Sequence, residues 1–279
     1  MLDQITAFAL RSGLALQTAG LELLVPALVF LLIGALTKGR ALFVDMRRAL
    51  AETSLNVQIM AFNTVLVVPL IALGSQAMSD AATRYGLILV PPEVWRSLPF
   101  WGVIFCGVFI ADFVGYWRHR LEHTPLLWPS HAVHHSDTEM TWLALERFHP
   151  INRLTTFAID SGVLLLLGLP VEAVIASNFV RHYYGYFIHA DLPWTFGPLG
   201  RIFVSPAMHR WHHAADRAAF DTNYATVFSL FDQAFGTFRV PGPCTAPLGV
   251  TDDIGNTLGA QLGYAFLPRA YRRLFKSKG

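Results

Sequence analysis

The sequence has little charge. Asp, Glu, Lys and Arg make up 14% of its 279 residues, against about 25% in an ordinary soluble domain. Hydrophobic residues make up 53%, which excludes intrinsic disorder, because disordered chains combine low hydrophobicity with high charge. A soluble globule of this size would need more charged residues to cover its surface. We therefore expect a membrane protein.

Other residue types are scarce or absent in ways that exclude further classes. The formal net charge of +2 gives no basic footprint for a nucleic-acid partner. The two cysteines, Cys106 and Cys244, cannot form a disulfide framework or hold an iron–sulfur cluster. Histidine is absent from the first 118 residues, and all 11 histidines lie between His119 and His213. The chain therefore divides into an apolar part and a histidine-rich part.

Long apolar runs predict membrane-embedded helices, since a spanning helix needs roughly 20 mostly apolar residues. Three runs qualify, at 21–36, 57–78 and 98–117. A fourth apolar region, at 153–180, is broken at Gly168-Leu169-Pro170 and predicts a helix–turn–helix that enters and leaves on one face. Alternation typical of strands is weak. The sequence predicts an all-α, integral-membrane helical protein with about four membrane-embedded helices; the alternative is a soluble α-protein with buried helices.

The distribution of Lys and Arg predicts the topology. Lys38, Arg40, Arg47 and Arg48 place the loop between the first two runs in the cytoplasm. We expect no cleaved signal peptide, because a basic region and a small-residue cleavage site are missing before the first run. The histidine-rich part then faces the cytoplasm, from a bacterial inner membrane or the endoplasmic reticulum. The same side is predicted for the basic residues Arg118, Arg120, Arg269, Arg272, Arg273, Lys276 and Lys278.

Most of the histidines form three clusters with helical spacing, HRLEH, HAVHH and HRWHH. Residues three and four apart share one helix face, so each cluster can point two or three imidazoles at one place. Eight clustered histidines exceed what one zinc site needs, and we expect two metal ions. Imidazole suits iron, copper, nickel and zinc, so the ligand type does not select the metal. The candidate metal ligands are His119, His123, His131, His134, His135, His209, His212 and His213.

Two other functions are compatible with parts of this pattern. HRLEH also fits the H-x-x-E-H signature of inverted zinc peptidases, in which Glu122 would be the general base of a membrane zinc hydrolase. That interpretation leaves the other two clusters without a role. A non-enzymatic metal-binding or metal-transport membrane protein is the second alternative. It would place its ligands inside the spans, whereas here the clusters flank them.

The three clusters in this order resemble the fatty acid hydroxylase/sterol desaturase superfamily of integral-membrane di-iron oxygenases. The likeness covers roughly residues 112–238. It includes DFVGYWRHRLEH, HAVHHSDTEMTWLALERFHP and the closing segment DTNYATVFSLFDQAFGTFR. Two departures, Ala225 for the usual Gly and Phe231 for the usual Trp, concern substrate packing rather than the ligands.

The resemblance implies two iron ions, O2 as co-substrate, and hydroxylation or desaturation of a lipid C–H bond, in a sterol, fatty acyl or related substrate. It also implies that His189, in YFIHAD, is a further metal ligand. Electrons would come from an external ferredoxin-, cytochrome- or reductase-type donor, because no nucleotide-binding Gly-x-Gly-x-x-Gly or cysteine set is present. The expected domains are anchoring helices at 1–97, a hydroxylase-like catalytic domain at 98–240 and a basic tail at 241–279.

Three residues near the clusters are candidates for supporting the ligands. Asp112 lies near the end of the third run, at helical spacing from His119, and we expect its carboxylate to accept a hydrogen bond from a ligating imidazole. The alternative is that Asp112 pairs with Arg118 or with a neighbouring backbone group. For His149, in RFHP, and for His182, ligation and a supporting role both stay open.

Overall fold

The computed structural model of the chain describes residues 2–272, without the side chains of residues 2–5 and 7. The predicted basic residues Arg273, Lys276 and Lys278 lie outside this part. Across the described residues the chain forms helices and turns without a β-strand, which confirms the all-α class. The helices are α1 (Leu2–Glu22), α2 (Leu24–Lys38), α3 (Ala41–Arg48), α4 (Leu50–Phe62), α5 (Val68–Tyr85), α6 (Pro92–Arg96), α7 (Phe100–Glu122), α8 (Trp128–His135), α9 (Pro150–Thr156), α10 (Gly162–Leu166), α11 (Val171–His189), α12 (Pro206–His212), α13 (Leu230–Ala234) and α14 (Leu258–Tyr264).

Three helical segments are long and apolar enough to cross a membrane: Phe8–Lys38, Leu50–Tyr85 and Phe100–Glu122. They overlap the three runs expected from the sequence, and each segment is longer than the corresponding run. The second segment contains a π turn, Asn63–Val67, directly before α5. Pro69 follows this turn and has no N–H to donate to the preceding turn of helix, which explains the local change in helical pitch.

The fourth apolar region forms the expected helix–turn–helix. We call residues 150–189 the hairpin: α9, a π turn (Phe157–Ser161) and α10 form one arm, and α11 forms the other. Gly168 turns the chain with φ of +60°, and a Cβ there would lie 2.4 Å from the Val90 carbonyl oxygen. The indole of Trp95 donates a hydrogen bond of 2.8 Å to the Leu167 carbonyl. The tip of the hairpin therefore lies beside the loop that joins the second and third spans.

A buried ionic network fastens the hairpin to the third span. Asp160, in the π turn, accepts hydrogen bonds from Arg118 Nε on α7 at 2.8 Å and from Arg181 Nη1 on α11 at 2.9 Å. Arg181 also lies 3.6 Å from Asp112. Gly115 permits this approach, because a Cβ at that position would lie 1.9 Å from the Arg181 guanidinium. Buried charges persist only when paired, so the network fixes α7 against both arms of the hairpin.

Residues 119–149 and 189–272, outside the hairpin, form a dome over one end of the spans. The second span is tied to the dome by Glu52, which accepts a hydrogen bond of 2.6 Å from Arg147 Nη2, and by Asn56, which donates one of 2.9 Å to Asp137. Within the dome, residues beyond 240 pack against residues 119–149. Gln261 Oε1, for example, accepts a hydrogen bond of 3.1 Å from the Ser136 hydroxyl.

Candidate metal centre

The nine histidines expected to bind metal converge in the dome as two groups. Within each group, one ring nitrogen from every histidine lies within 4.8 Å of the others. The first histidine group consists of His119, His123, His131, His135 and His212. The second histidine group consists of His134, His189, His209 and His213, all buried. The hairpin brings His189, at the end of α11, to the second group.

The two HxxHH clusters are divided between the groups: two imidazoles of each cluster reach one group, within the two or three expected, and the remaining imidazole reaches the other group. On α8, His131 and His135 reach the first group, and His134 reaches the second. On α12 the division is reversed, since His209 belongs to the second group with His213, while His212 belongs to the first. Adjacent helical residues are about 100° apart around the axis. A helix that lies between two sites can therefore supply ligands to both. Its histidines at i and i+4 face one site, and the third histidine faces the other.

The spacing of the imidazole nitrogens fits metal ligation. In the second group, His189 Nε2 lies 3.2 Å from His134 Nε2 and 3.0 Å from His209 Nε2. In the first group, His131 Nε2 lies 3.0 Å from His119 Nε2 and 3.2 Å from His135 Nε2. Two nitrogens that each bind one ion at about 2.1 Å lie about 3.0 Å apart when their bonds are perpendicular. The observed separations are those of neighbouring ligands around a single ion.

Hydrogen bonds at Nδ1 orient four of these imidazoles. Each of the four donates its Nδ1–H to an oxygen, which leaves Nε2 with its lone pair directed into the group. The acceptors are the carbonyls of Tyr224 for His119, Thr222 for His212 and Gly185 for His189, each at 2.7 Å, and Asn152 Oδ1 for His131 at 3.2 Å.

The donor set fits a bound metal ion in each group. Within residues 2–272, no hydrogen-bond partner reaches the buried Nε2 of His212, although its Nδ1 is paired. A buried polar atom without a partner is costly, and a metal ion would supply one. Burial lowers the pKa of His134, His209 and His213 well below the ordinary value, and that of His189 to about 4. Neutral imidazoles are the form that binds metal.

These lowered pKa values predict how the stability of the metal-free protein depends on pH. Unfolded histidines take up protons near pH 6.5, whereas the buried imidazoles stay neutral to lower pH, about 4 for His189. The stability contribution is therefore present above pH 6.5 and lost as the pH falls toward 4. We expect the Tm of chelator-treated protein to fall between pH 7.5 and 5, measured by thermal unfolding in detergent. A constant or rising Tm would contradict this.

Asp112 does not contact a ligating imidazole, contrary to our expectation, and it pairs with Arg181 rather than with Arg118. Its carboxylate accepts hydrogen bonds from the backbone N–H groups of Thr226, Val227 and Phe228, at 3.3, 3.0 and 2.8 Å. This holds the segment after the third cluster, which contains the carbonyl acceptor for His119. The side chain acts on the ligand through the backbone.

Asp232 has a parallel role that the sequence analysis missed. Its carboxylate accepts hydrogen bonds from the backbone N–H groups of Tyr224 and Ala225, at 2.7 and 3.0 Å, and from the Thr237 hydroxyl at 2.7 Å. Burial raises the pKa of Asp232 to about 6. A lone Asp in the aromatic stretch SLFDQAF was the available signal.

Asn223 completes the support of this segment. It adopts a left-handed backbone with φ of +62°, a conformation that Asn tolerates better than most residues. Its amide donates hydrogen bonds to the carbonyls of Met208 and Arg239, at 3.0 and 2.7 Å.

His149 and His182 lie outside both groups. Both ring nitrogens of His149 are used, because Nδ1 accepts a hydrogen bond from the Ile151 N–H at 3.1 Å and Nε2 donates to the Leu262 carbonyl at 3.0 Å. His149 therefore caps α9 and holds the C-terminal part of the dome. The side chain of His182 is 43% exposed and lies 3.8 Å from Glu146. Neither residue therefore contributes a ring nitrogen to either histidine group.

Glu122, the general base of the zinc-hydrolase alternative, is fully buried and already bonded. One carboxylate oxygen accepts a hydrogen bond of 2.6 Å from Arg118 Nη1, and the other accepts one of 2.8 Å from the Thr155 hydroxyl. The carboxylate also lies 3.6 Å from His131 Nδ1. The carboxylate is thus held by α7 and the hairpin beside a histidine of the first group.

A small cavity opens on the first histidine group. It has a volume of about 50 Å³ and is lined by His123, His135 and His212, together with Trp128 and Phe220. A water molecule takes up about 30 Å³ in the liquid, so the cavity has room for one small molecule beside these imidazoles.

Comparisons with known proteins match the segment that contains the histidines. The family model described as fatty acid hydroxylase matches residues 104–237, which include all 11 histidines. The chain is 33% identical over 189 residues to ornithine lipid hydroxylase OlsE of Rhizobium tropici, covering 67% of this chain and 56% of that protein. It is 31% identical over 187 residues to alkylglycerol monooxygenase of Danio rerio, covering 66% and 40%.

A third relative is the Delta(7)-sterol 5(6)-desaturase erg3C of Aspergillus fumigatus, 30% identical over 192 residues, covering 57% of this chain and 58% of that protein. No solved structure shows a significant match. The chain thus spans between 40% and 58% of the length of these three relatives. The segment that carries both histidine groups, residues 104–237, matches the fatty acid hydroxylase family.

Proposed function

We propose that the protein is a membrane-bound di-iron oxygenase that hydroxylates or desaturates a lipid C–H bond with O2. The observation that carries this proposal is the convergence of nine histidines into two all-nitrogen groups at one end of apolar spans. We propose all nine as ligands, five for one iron and four for the other. Relatives named for ornithine lipid, alkylglycerol and sterol support a lipid substrate.

Bound iron would supply the activation of O2 for removal of hydrogen from an unactivated C–H bond. The chain's own residues would hold and shield that chemistry. The carbonyls of Tyr224, Thr222 and Gly185 fix the orientation of three ligands, and rigid orientation keeps an oxidant aimed at one substrate position. Burial of the imidazoles excludes water, which protects reactive species from side reactions.

The proposal also includes the membrane orientation of the dome, the source of electrons and the division of the chain into domains. We propose that the dome faces the cytoplasm, as the basic residues of the first loop predict, and that a separate redox protein delivers electrons. We propose residues 1–97 as the membrane anchor, 98–240 as the catalytic domain and 241–279 as a basic tail. The contacts of residues 241–272 with the dome suggest that this last segment also supports the site.

The two alternative functions have less support. A zinc hydrolase built on HRLEH needs Glu122 to face a metal-bound water, and both oxygens of this carboxylate are bonded to other groups. A metal transporter needs ligands along its spans, and the two histidine groups lie in the dome and at the dome end of α7. The zinc hydrolase would also leave the second histidine group without a role.

Lipid mass spectrometry tests the proposal. We expect a host that expresses the protein to accumulate a lipid with a mass change of +16 for hydroxylation or −2 for desaturation. The His134→Ala variant, expressed at the same level, is the control and should yield neither product. Identical lipid profiles with the two proteins, in a host that supplies O2 and reductant, would contradict the oxygenase function.

A further inference from the structure

A large cavity lies between the first membrane span and the dome. Its volume is about 570 Å³, within the range of roughly 300–1,000 Å³ typical of small-molecule sites. One side is formed by α2 and α3, and the other by residues 138–143, 190–192 and 246–248. It is separate from the small cavity on the first histidine group.

The cavity changes from apolar to charged along the direction of the span. Ala27, Phe30 and Leu31, within the first span, line the apolar end, where Phe30 stacks on Trp142 with ring centroids 5.4 Å apart. The charged end begins at Lys38, the last residue of that span. In a bilayer, the interior of a span lies at the depth of acyl chains and its end at the level of headgroups. The cavity therefore joins these two levels.

The charged end is an alternating chain of six ionic side chains. Three carry positive charge and three carry negative charge, so their sum is zero. Asp45 pairs with Lys38 at 2.7 Å, Glu139 with Arg48 at 2.6 Å and Asp191 with Arg210 at 3.1 Å, and Lys38 also pairs with Asp191. Their side chains are between 15% and 59% exposed, so a bound molecule can reach them.

The wall of this cavity includes residues that follow two histidines of the second group in the sequence. Ala190 and Asp191 line it and follow His189, and Arg210 lines it and follows His209. Arg210 also donates a hydrogen bond of 3.2 Å to the carbonyl of Met140, a buried residue of the same wall. The backbone thus joins the cavity wall directly to two of the proposed metal ligands, His189 and His209.

We propose that this cavity binds a lipid with a zwitterionic headgroup, its chain beside α2 and its headgroup on the alternating charges. The proposal rests on the proposed function, since it names the substrate class of that same site. A headgroup with both charges finds a partner for each along the network. A headgroup of one sign meets as much repulsion as attraction, and an uncharged one leaves the network unused.

Equilibrium binding to the purified protein in detergent tests this without turnover. The probes are phosphatidylethanolamine, phosphatidylglycerol and diacylglycerol with the same fluorescent acyl chains. We expect phosphatidylethanolamine to bind at least about threefold more tightly than the other two, the size of a partly exposed ionic contact. Equal binding of all three lipids would overturn the headgroup assignment.

Two opposite charge variants distinguish headgroup recognition from a structural role. Asp45→Asn leaves an excess positive charge, and we expect it to raise binding of phosphatidylglycerol relative to phosphatidylethanolamine by about threefold. Arg48→Gln leaves an excess negative charge and should lower that ratio by a similar factor. If both substitutions shift the ratio in the same direction, or neither shifts it, the network does not read the headgroup.

A substitution that fills the apolar end of the cavity tests whether the acyl chain binds there. Ala27→Phe inserts a ring into the apolar end, and we expect it to weaken all three lipids about tenfold, as overpacking does. Leu28→Phe is the matched control, because Leu28 is 66% exposed and does not line the cavity. Unchanged binding by Ala27→Phe would overturn the site. Headgroup-selective binding without any lipid oxidation would contradict only the oxygenase function.

Discussion

Replacing His134 by alanine is expected to lower the metal content of the chain from two ions to one and to abolish lipid oxidation. His134 is one of only four imidazoles in the second histidine group, and its Nε2 lies 3.2 Å from that of His189. A metal ion is worth several kcal/mol to the reaction it supports. The rate should therefore fall by at least about a thousandfold.

The two groups permit a sharper form of the same experiment. His212→Ala removes a ligand from the first group only, and should also leave one ion per chain, while the double variant should leave none. Iron per chain is measured by inductively coupled plasma mass spectrometry, and turnover by lipid mass spectrometry. His182→Ala is the matched control, because His182 lies outside both groups. Full metal content and turnover in the His134→Ala protein would refute the ligand assignment.

The second large effect is expected at Asp112. Asp112→Ala leaves the N–H groups of Thr226, Val227 and Phe228 without their acceptor and removes one of the two carboxylates paired with the Arg181 guanidinium, whose bond to Asp160 remains. Removing one partner of a buried ion pair costs about 3–5 kcal/mol, and we expect the free energy of unfolding to fall by that amount. Asp112→Asn keeps one acceptor oxygen and should cost about 1–2 kcal/mol. Thermal unfolding in detergent measures both.

A control shows whether this loss is specific. Asp80→Ala removes an exposed carboxylate that accepts a hydrogen bond from Gln76 at 2.9 Å, and it should change stability by less than about 0.5 kcal/mol. Metal retention is a second readout for Asp112→Asn, because the segment it holds carries the carbonyl acceptor for His119. An Asp112→Ala protein as stable as wild type would show that this contact contributes nothing.

The local features of the fold were accessible from the sequence. Long apolar runs predicted the three spans, and the Gly168-Leu169-Pro170 break predicted the hairpin, because each depends on residues close together in the chain. Histidine spacing predicted the eight clustered candidates, and family resemblance added His189. All nine lie in the two groups.

What the sequence could not predict depends on contacts between distant residues. Each HxxHH cluster is divided because of where two other helices lie. The spacing of residues within one helix does not indicate the positions of other helices. Asp112 was assigned to an imidazole because it shares a face of α7 with His119, yet the residues packed on that face come from 226–228. Asp232 was missed because its partners are backbone N–H groups, which carry no residue-specific signal.

The hydrogen bonds that orient the imidazoles have a consequence for mutational robustness. Three of the four acceptors are main-chain oxygens, at positions 185, 222 and 224, and every amino acid supplies that oxygen. A codon change at these positions alters a side chain but cannot delete the acceptor. His131 differs, because its acceptor is the side chain of Asn152, which a single nucleotide change can remove. Among the four acceptors that orient the imidazoles, Asn152 is thus the one that a substitution can delete.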